Sequence, residues 1–549
     1  MKVFQELLTR YKIYLLLTLL CFLAFFNNFH VPFFYDDYNQ VANNPNLFSI
    51  FDIRSVIFCG LRQIRVIQNI TFAIDHSLNN FFYDKYFFFH FTNNLLHLFC
   101  SFLVFKISRN LVKRTDSFHF LVAALFLVAP LQVSSVTYIM GRIGILQNLS
   151  IFLIIYELSK FDNRSEFKVF FLLIFSYLVK ENNILLPLLI LVFDFFLYPV
   201  NLTKIKFKKF YLVNFLTILV MLGFYYILKD PWGGMYKDTV GFKLYWPVHE
   251  YFLTQGFYFF FTLFILFNPS ESLIYHEYFD FNWGIGTLGI IFWLGCLIAF
   301  IYVIKTRKNI SFYKFNFLYF LIFYASTNSI LQMINPYAEY RTSLYLLPII
   351  FFLVGGIYWI GDKIKMDLKY ILISLTLYFG IFVHLNNEIW RHQNRPWILS
   401  YQSYPNSNIV NQEMARLYMT FLNFDLARKH LKLARDSGRK IPFHQIRSKI
   451  NIAGLFFIEG KNYENIKYSK EIIKELYYWD YEFFHNYLIS LYVMGEMKEY
   501  DRIMKILKDS HDYPLIEHVK ESVREREKMR NPISEEKPLI KILKAAEKK

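Results

Sequence analysis

Cysteine is scarce in this sequence, and the fingerprints of zinc-binding and nucleotide-binding proteins are missing. The 549 residues include only four cysteines, whose spacing fits neither a zinc site nor a disulfide framework: Cys21, Cys59, Cys100 and Cys296. No glycine-rich loop of the kind that holds a nucleotide phosphate occurs. The sequence therefore predicts no metal site and no cofactor.

Charged residues are also few, and apolar residues take their place. Hydrophobic residues make up 55% of the chain and charged residues only 19%, with a mean hydropathy of +0.28. Soluble chains of this length divide into several domains and rarely average out apolar. The composition therefore excludes an ordinary soluble enzyme and predicts an integral membrane protein.

Apolar runs recur along the first 390 residues. A helix needs about 20 mostly apolar residues to cross a bilayer, and eleven runs are predicted to do so. Their approximate limits are 12–29, 89–108, 118–137, 143–159, 167–180, 183–198, 210–228, 284–304, 315–333, 343–361 and 369–386. A twelfth run, 252–268, ends at Pro269 and is predicted to be re-entrant or interfacial.

The formal net charge of +17 would suggest a nucleic-acid partner in a soluble protein. Here the basic residues cluster in short loops between the apolar runs, so membrane topology explains them and no nucleic-acid partner is expected. Alternating crossings place all six basic clusters in the cytoplasm, among them Arg109/Lys113/Arg114 and Lys160/Arg164/Lys168. Residues after about 387 then lie outside, whereas a crossing by 252–268 would move them to the cytoplasm.

Beyond residue 400 the composition changes to amphipathic helices with charged faces. Phe424, Tyr463 and Tyr500 each follow a turn-like segment and open a second helix, at spacings of 39 and 37 residues. Repeats of this length predict a tetratricopeptide-type α-solenoid, the alternative being a helical domain without repeats. The predicted divisions are 1–390 in the membrane, 400–515 in the repeat domain and a charged, partly disordered tail at 520–549.

Polar residues that flank the apolar runs collect on the predicted outer face. Charged groups near a membrane interior tend to mark function. On one helix, His90, Asn93 and His97 share a face and are expected to pack or hydrogen-bond rather than bind metal. The ionisable residues of this set are Asp36, Asp37, Arg65, Arg142, Lys180, Glu181, Glu339 and Arg341. Each also has a structural interpretation, as a solvated helix end, an interfacial anchor or an ion pair.

Several segments, in order along the chain, carry a resemblance to a known family. They are YDDYNQVANNPNL from Tyr35, RVIQNITFAIDH from Arg65, FHFTNNLLH from Phe89, APLQVSSVTYIMGR from Ala129, LVKENNILLPLLILVFD from Leu178 and YAEYR from Tyr337. Together with the repeat domain, they resemble the transmembrane and tetratricopeptide-repeat O-mannosyltransferases of the GT-C glycosyltransferase superfamily, and their bacterial relatives. The chain departs from that pattern in having Ala129-Pro130 where the family usually has His-Pro, and Val66 where it has proline.

The resemblance implies an all-α GT-C-like bundle that moves a sugar, such as mannose, from a polyprenyl-phosphate donor by inverting displacement. Asp36 or Asp37 would be the general base, Arg65, Arg142, Lys180 and Arg341 would bind the donor phosphate, and Glu181 and Glu339 would hold these cations. The acceptor would be a protein Ser/Thr hydroxyl or a glycan. The expected location is a bacterial inner membrane with the repeat domain in the periplasm.

Two other classes of protein fit parts of the sequence. A membrane-anchored scaffold that displays a helical repeat domain to a protein partner would need neither aspartate. A transporter would show internal symmetry and broken helices near the middle of the membrane, and neither is evident in the sequence.

Overall fold

The described residues are largely helical, and the chain divides into two units. The computed structural model describes residues 2–57, 65–197, 247–269, 281–306, 311–329, 337–436, 442–475, 481–509 and 513–530. Within these ranges the chain forms helices and turns and no strand. One unit comprises residues 1–399 and the other residues 400–549.

Fifteen of the described helices begin in the first unit. They are α1 (Lys2–Phe25), α2 (Ile53–Ile57), α3 (Val66–Phe82), α4 (Phe87–Leu111), α5 (Asp116–Leu127), α6 (Val133–Val136), α7 (Arg142–Leu158), α8 (Glu166–Val179), α9 (Leu186–Leu197), α10 (Val248–Phe267), α11 (Trp283–Lys305), α12 (Phe312–Thr327), α13 (Glu339–Ile364), α14 (Lys369–Trp390) and α15 (Arg395–Ser403). Short 3-10 turns at Pro130–Gln132, Ile139–Gly141 and Glu181–Leu185 link several of them.

Long apolar helices bear out the membrane class, whereas the count of eleven spans stays a prediction. Among the described residues, seven helices have the length and composition to cross a membrane, and a bent pair raises this to eight. The bent pair is α5 with the segment Pro130–Val136, and the bend of 47° lies at the break between Leu127 and Pro130. The predicted run 210–228 lies outside the described residues.

The predicted runs 167–180 and 183–198 form helices that are shorter than a bilayer core. Their helices α8 and α9 have 14 and 12 residues, which at 1.5 Å per residue is roughly 20 Å and less than a bilayer core. Arg164 precedes α8 and pairs with Asp194 near the end of α9. The two helices therefore form a hairpin, and Lys180 lies at its turn.

One end of the first unit is defined by Asp37 and is called the Asp37 end. Asn28, just after α1, exchanges hydrogen bonds of 3.0 Å with Asn94 near the start of α4. Thr137, which precedes α7, donates to Asn387 near the end of α14 at 2.6 Å. The Asp37 end thus collects the end of α1 and α14 and the start of α4 and α7.

The opposite end carries ion pairs between basic residues and acidic helix ends. Arg114, between α4 and α5, pairs with Asp362 near the end of α13 at 2.7 Å. The Arg164–Asp194 pair of the α8–α9 hairpin lies at the same end, because Ser165 donates to Glu157 at the end of α7 at 2.9 Å. These basic residues belong to the predicted cytoplasmic clusters.

Helix α10 corresponds to the run predicted to be re-entrant or interfacial. Its 20 residues are long and apolar enough to cross. Three hydrogen bonds spread along the helix, however, join it to residues toward the Asp37 end: Gln255 with Asn328 (3.0 Å), Thr262 with Tyr337 (3.4 Å) and the following Pro269 with Asn386 (3.3 Å). A straight crossing would bring its two ends to opposite ends of the bundle, so these contacts favour the interfacial interpretation.

The second unit consists of helical hairpins. Its helices are α16 (Asn408–Thr420), α17 (Phe424–Asp436), α18 (Pro442–Ile458), α19 (Asn462–Glu475), α20 (Tyr481–Met494), α21 (Met497–Asp509) and α22 (Tyr513–Arg530). The helix-turn-helix units predicted from the aromatic spacing are present as α16–α17, α18–α19 and α20–α21, whereas the tetratricopeptide-type solenoid stays a prediction. Helix α22 continues to Arg530, and the rest of the predicted tail lies outside the described residues.

The three hairpin turns share one backbone geometry. Leu422, Gly460 and Gly495 adopt left-handed conformations with φ of 56°, 75° and 75°. In each turn the amide of the following residue donates to a carbonyl five residues back, at 2.9, 2.8 and 2.9 Å. This is the Schellman helix ending, in which a left-handed residue lets the chain reverse. The recurrence of one turn shows that the three hairpins are structurally equivalent.

Close packing of α10 on α11 generates a test of the fold. A Cβ on Gly289 would overlap the backbone of Leu253, whereas a Cβ on Gly295, six residues further along α11, meets nothing within 4 Å. We expect Gly289→Ala to destabilise the protein by about 1–3 kcal/mol, the usual cost of overpacking. Gly295→Ala is the matched control and is expected to be neutral or slightly stabilising. Thermal unfolding in detergent measures both, and equal unfolding temperatures would contradict the α10–α11 packing.

Candidate functional site

The acidic pair predicted to act as base occupies a tight turn, and its two members differ. Asp37 is buried, with 1% of its surface exposed. Its carboxylate accepts the N–H of Phe34 at 2.9 Å and the N–H of Met140 at 2.8 Å, while its own N–H donates to the Phe34 carbonyl at 2.8 Å. Asp36 lies between Phe34 and Asp37 in the turn and is exposed. The structure thus separates a buried, anchoring aspartate from an exposed one.

Strain and burial both mark this turn. Tyr35, which precedes Asp36, has φ of 46°, a conformation that non-glycine residues adopt at a cost of order 1 kcal/mol or more and that clusters at functional sites. Burial raises the pKa of the Asp37 carboxyl well above its usual range, and the amides of Phe34, Met140 and Ile139 oppose that shift. Because both oxygens of Asp37 already accept hydrogen bonds, its side chain is committed to holding the turn on the Ile139–Gly141 segment.

Aromatic side chains surround the turn. The Phe34 ring lies 5.2 Å from that of Trp390 and 5.7 Å from that of Trp397, and Tyr35 lies 5.8 Å from Trp397. Tyr138 lies on another side, 5.9 Å from Trp390. Burial, together with the nearby carboxylates of Asp36 and Asp37, raises the pKa of Tyr138 well above its usual value. The Tyr138 hydroxyl is therefore a neutral donor, and it has no hydrogen-bond partner among the described residues.

Arg142, predicted to bind phosphate, is wholly buried instead. Its guanidinium pairs with Asp75 at 2.5 Å, donates to Asn93 at 2.6 Å and to the Phe89 carbonyl at 2.8 Å, and lies over the ring of Phe72 at 4.4 Å. None of its surface is exposed. Arg142 therefore joins α3, α4 and α7 in this structure, and it offers no exposed face to a phosphate.

The polar face predicted on α4 is structural as well. His90 is within 2.8 Å of the Val31 carbonyl and His97 within 2.9 Å of the Leu127 carbonyl, while Asn93 donates to the Val136 carbonyl at 3.0 Å. All three side chains are buried. Their shared helical face therefore contacts neighbouring backbone, as expected for packing residues. No cluster of metal-binding side chains occurs among the described residues.

Three of the four predicted cations come from separate elements that pack around the first turns of α7. An apolar cluster of Ile143, Leu146, Val179 and Ile67 brings together α7, the end of α8 and the start of α3. Lys180 directly follows Val179, and Arg65 precedes Ile67 by two residues. Lys180 is buried, with 8% exposed, and Arg65 is half-buried.

Arg341 approaches α7 from another direction. The neighbouring Tyr340 carbonyl accepts the Ser135 hydroxyl at 3.4 Å, and the Ser343 carbonyl accepts the Asn148 amide at 3.2 Å. Arg341 is half-buried, and its guanidinium lies 5.6 Å from the centre of the Tyr340 ring. Helices α3, α8 and α13 thus each bring one cation to the region where α7 begins.

The two glutamates predicted to hold the cations each begin a helical segment. Glu339 is buried at the first residue of α13, two residues from Arg341. Glu181 begins the turn of the α8–α9 hairpin, and its side chain lies outside the described residues. Asn183 fixes this turn against α7 by accepting from Gln147 at 3.0 Å.

Two residues of the site were not selected from the sequence. Asp75 neutralises Arg142, and its place in the IDH segment gave a carboxylate but no partner, because the two residues are 67 positions apart. Tyr138 lies beside the acidic pair, and a tyrosine just before an apolar helix is too common to stand out. The place of each residue in the site follows from the packing of α3, α4 and α7, which the sequence does not show.

Comparisons with protein-family models, with curated proteins and with solved structures found no match to this chain.

The buried Arg142 pair generates a stability prediction. Removing one partner of a buried ion pair leaves an uncompensated charge, which costs about 3–5 kcal/mol. We expect this loss for Arg142→Ala, and an effect of at most about 1 kcal/mol for Arg391→Ala, whose pair with Glu388 is about 40% exposed. Thermal unfolding of both variants in detergent measures the difference, and an Arg142→Ala protein as stable as Arg391→Ala would show that the pair is not structural.

Proposed function

We propose that the protein is a membrane glycosyltransferase that moves a sugar from a polyprenyl-phosphate carrier to an acceptor hydroxyl at the Asp37 end. The observation that carries this proposal is the arrangement at the start of α7. The turn that presents Asp36 is fixed there by the Asp37–Met140 hydrogen bond, and the elements bearing Arg65, Lys180 and Arg341 pack around the next turns.

Asp36 is the better candidate for the general base. The attacking hydroxyl loses its proton as the new bond forms, so the base needs an accessible carboxylate. Asp36 is exposed, whereas the oxygens of Asp37 accept backbone amides. Asp37 then acts as a positioning residue that holds the strained turn. The Tyr138 hydroxyl is a further donor beside Asp36.

The reaction also requires positive charge near the leaving phosphate, and the cations would supply it. Negative charge grows on the leaving phosphate in the transition state, and preplaced cations stabilise it. Arginine can bind two phosphate oxygens with its planar fork, and lysine acts as a point charge. We assign this role to Arg65, Lys180 and Arg341, and a supporting role to Arg142 because its guanidinium is enclosed by protein. The sugar is an aldose such as mannose, and the acceptor is a protein Ser/Thr or a glycan.

The location is part of the same proposal. The basic clusters near Arg114 and Arg164 would face the cytoplasm by the positive-inside rule, which directs the Asp37 end away from it. A bacterial inner membrane, with the repeat domain in the periplasm, agrees with this orientation. The hairpins of the second unit would then bind the acceptor or another protein partner.

The acidic pair gives a test of the chemistry. We expect Asp36→Asn to lower the rate of sugar transfer from polyprenyl-phosphate donors by about a hundredfold or more, because the general base is lost. Asp84→Asn removes an exposed carboxylate from a nearby loop while keeping the oxygen that accepts from Tyr86 and Phe87. It serves as the matched control.

Transfer assays in membranes, with variant amounts equalised by immunoblot, separate the two outcomes. Wild-type transfer by Asp36→Asn would remove that residue as the base. If a panel of donors gives no transfer with the wild-type protein, the glycosyltransferase proposal itself fails.

Topology is tested independently of activity. Asp84 near the Asp37 end and Asp116 near the opposite end are both exposed. In sealed cells we expect a membrane-impermeant maleimide to label Asp84→Cys but not Asp116→Cys until the membrane is opened. Asp436→Cys reports the side of the second unit and is expected to label like Asp84→Cys. The reverse pattern would place the proposed site in the cytoplasm.

A further inference from the structure

The three hairpin turns of the second unit expose large apolar side chains. Single exposed apolar residues are ordinary on protein surfaces, but here two occur at each equivalent turn. Their exposed fractions are 68% and 73% for Phe421 and Leu422, 53% and 62% for Ile458 and Tyr463, and 48% and 42% for Met494 and Met497. We call these six residues the tip edge.

The tip edge is continuous because the hairpins lie side by side in register. The first helices of successive hairpins contact one another, α16 with α18 and α18 with α20. The second and third hairpins are also bonded to each other: Ser490 donates to Asn462 at 3.0 Å, and Lys470 pairs with Glu496 at 2.7 Å. Equivalent Schellman turns on parallel hairpins lie along one edge, so the exposed apolar residues form a row. Contiguous exposed apolar surface marks an interaction site.

Charge around the tip edge is balanced. The stretches 417–429, 455–467 and 490–502 together contain six acidic residues (Asp425, Glu459, Glu464, Glu496, Glu499 and Asp501) and six basic residues (Arg428, Lys429, Lys461, Lys467, Lys498 and Arg502). A surface that binds a strongly charged partner shows an excess of one sign. A neutral row of Phe, Leu, Ile, Tyr and Met instead matches the headgroup region of a lipid bilayer, where aromatic and aliphatic side chains enter and charged neighbours remain in water.

The covalent connection limits how far the first hairpin can lie from a membrane. The last apolar candidate span ends at Trp390 and the first hairpin helix begins at Asn408. The 17 residues between them can extend over at most about 60 Å. We propose that the tip edge rests on the lipid surface of the same membrane and holds the hairpins against it. This inference is independent of the proposed sugar transfer.

The test uses the full-length protein reconstituted in phosphatidylcholine vesicles. The native cysteines are replaced by alanine, and a fluorophore is attached to Phe421→Cys or Met497→Cys. Asp436→Cys and Lys508→Cys, exposed positions far from the turns in α17 and α21, are the matched controls. We expect a quencher carried on lipid headgroups to quench the tip labels several-fold more than the control labels. Because the edge is neutral overall, raising the salt concentration is expected to leave this difference unchanged.

Two outcomes would overturn the proposal. Tip labels that respond to a water-soluble quencher as strongly as the controls would show that the edge faces solvent. Tip labels shielded from both quenchers would show that protein, rather than lipid, covers it. A second variant, Tyr463→Asp with Met497→Asp, keeps the turn residues and is expected to weaken lipid quenching at position 421 several-fold, with an unchanged unfolding temperature.

Discussion

The buried pair of Arg142 and Asp75 is the constraint on which the first unit depends. A guanidinium with no exposed surface must be matched by fixed partners, since an uncompensated buried charge costs several kcal/mol. Asp75 supplies the opposite charge from α3, and Asn93 and the Phe89 carbonyl supply acceptors from α4. The start of α7 is thereby held against both helices. The Met140 amide that anchors Asp37 lies two residues before Arg142.

Around it, polar side chains tie helices together where lipid provides no hydrophobic force between them. Asn28 and Asn94 join α1 to α4, and Thr137 and Asn387 join the segment before α7 to α14. Interhelical hydrogen bonds in membranes are worth roughly 0.6 kcal/mol each on average, so several are needed to fix a geometry. Their concentration at the Asp37 end explains how a strained turn such as Tyr35–Asp36 is maintained there.

The two units achieve order by different means. In the first, buried charges and amides fix helices that are apolar on most sides. In the second, ordinary amphipathic helices pack into hairpins, and three equivalent Schellman turns set their spacing. The tip edge is a consequence of this regularity, because equivalent turns on adjacent hairpins bring the apolar residues near each turn to one edge. A surface of this kind arises from repetition rather than from one folded pocket.

The sequence by itself determined the helical membrane class, the change of character near residue 400 and the hairpins of the second unit, because apolar run length and periodicity are local properties. It also identified the acidic pair and the basic residues, but only as members of one face. The tertiary structure decided which of them are buried: Arg142 acquired its partner from a residue 67 positions away, and Asp37 acquired the amide of Met140. It also joined α8 and α9, both shorter than a bilayer core, into a hairpin through the pairing of Arg164 with Asp194. Burial and pairing are set by contacts distant in sequence, and no local pattern records them.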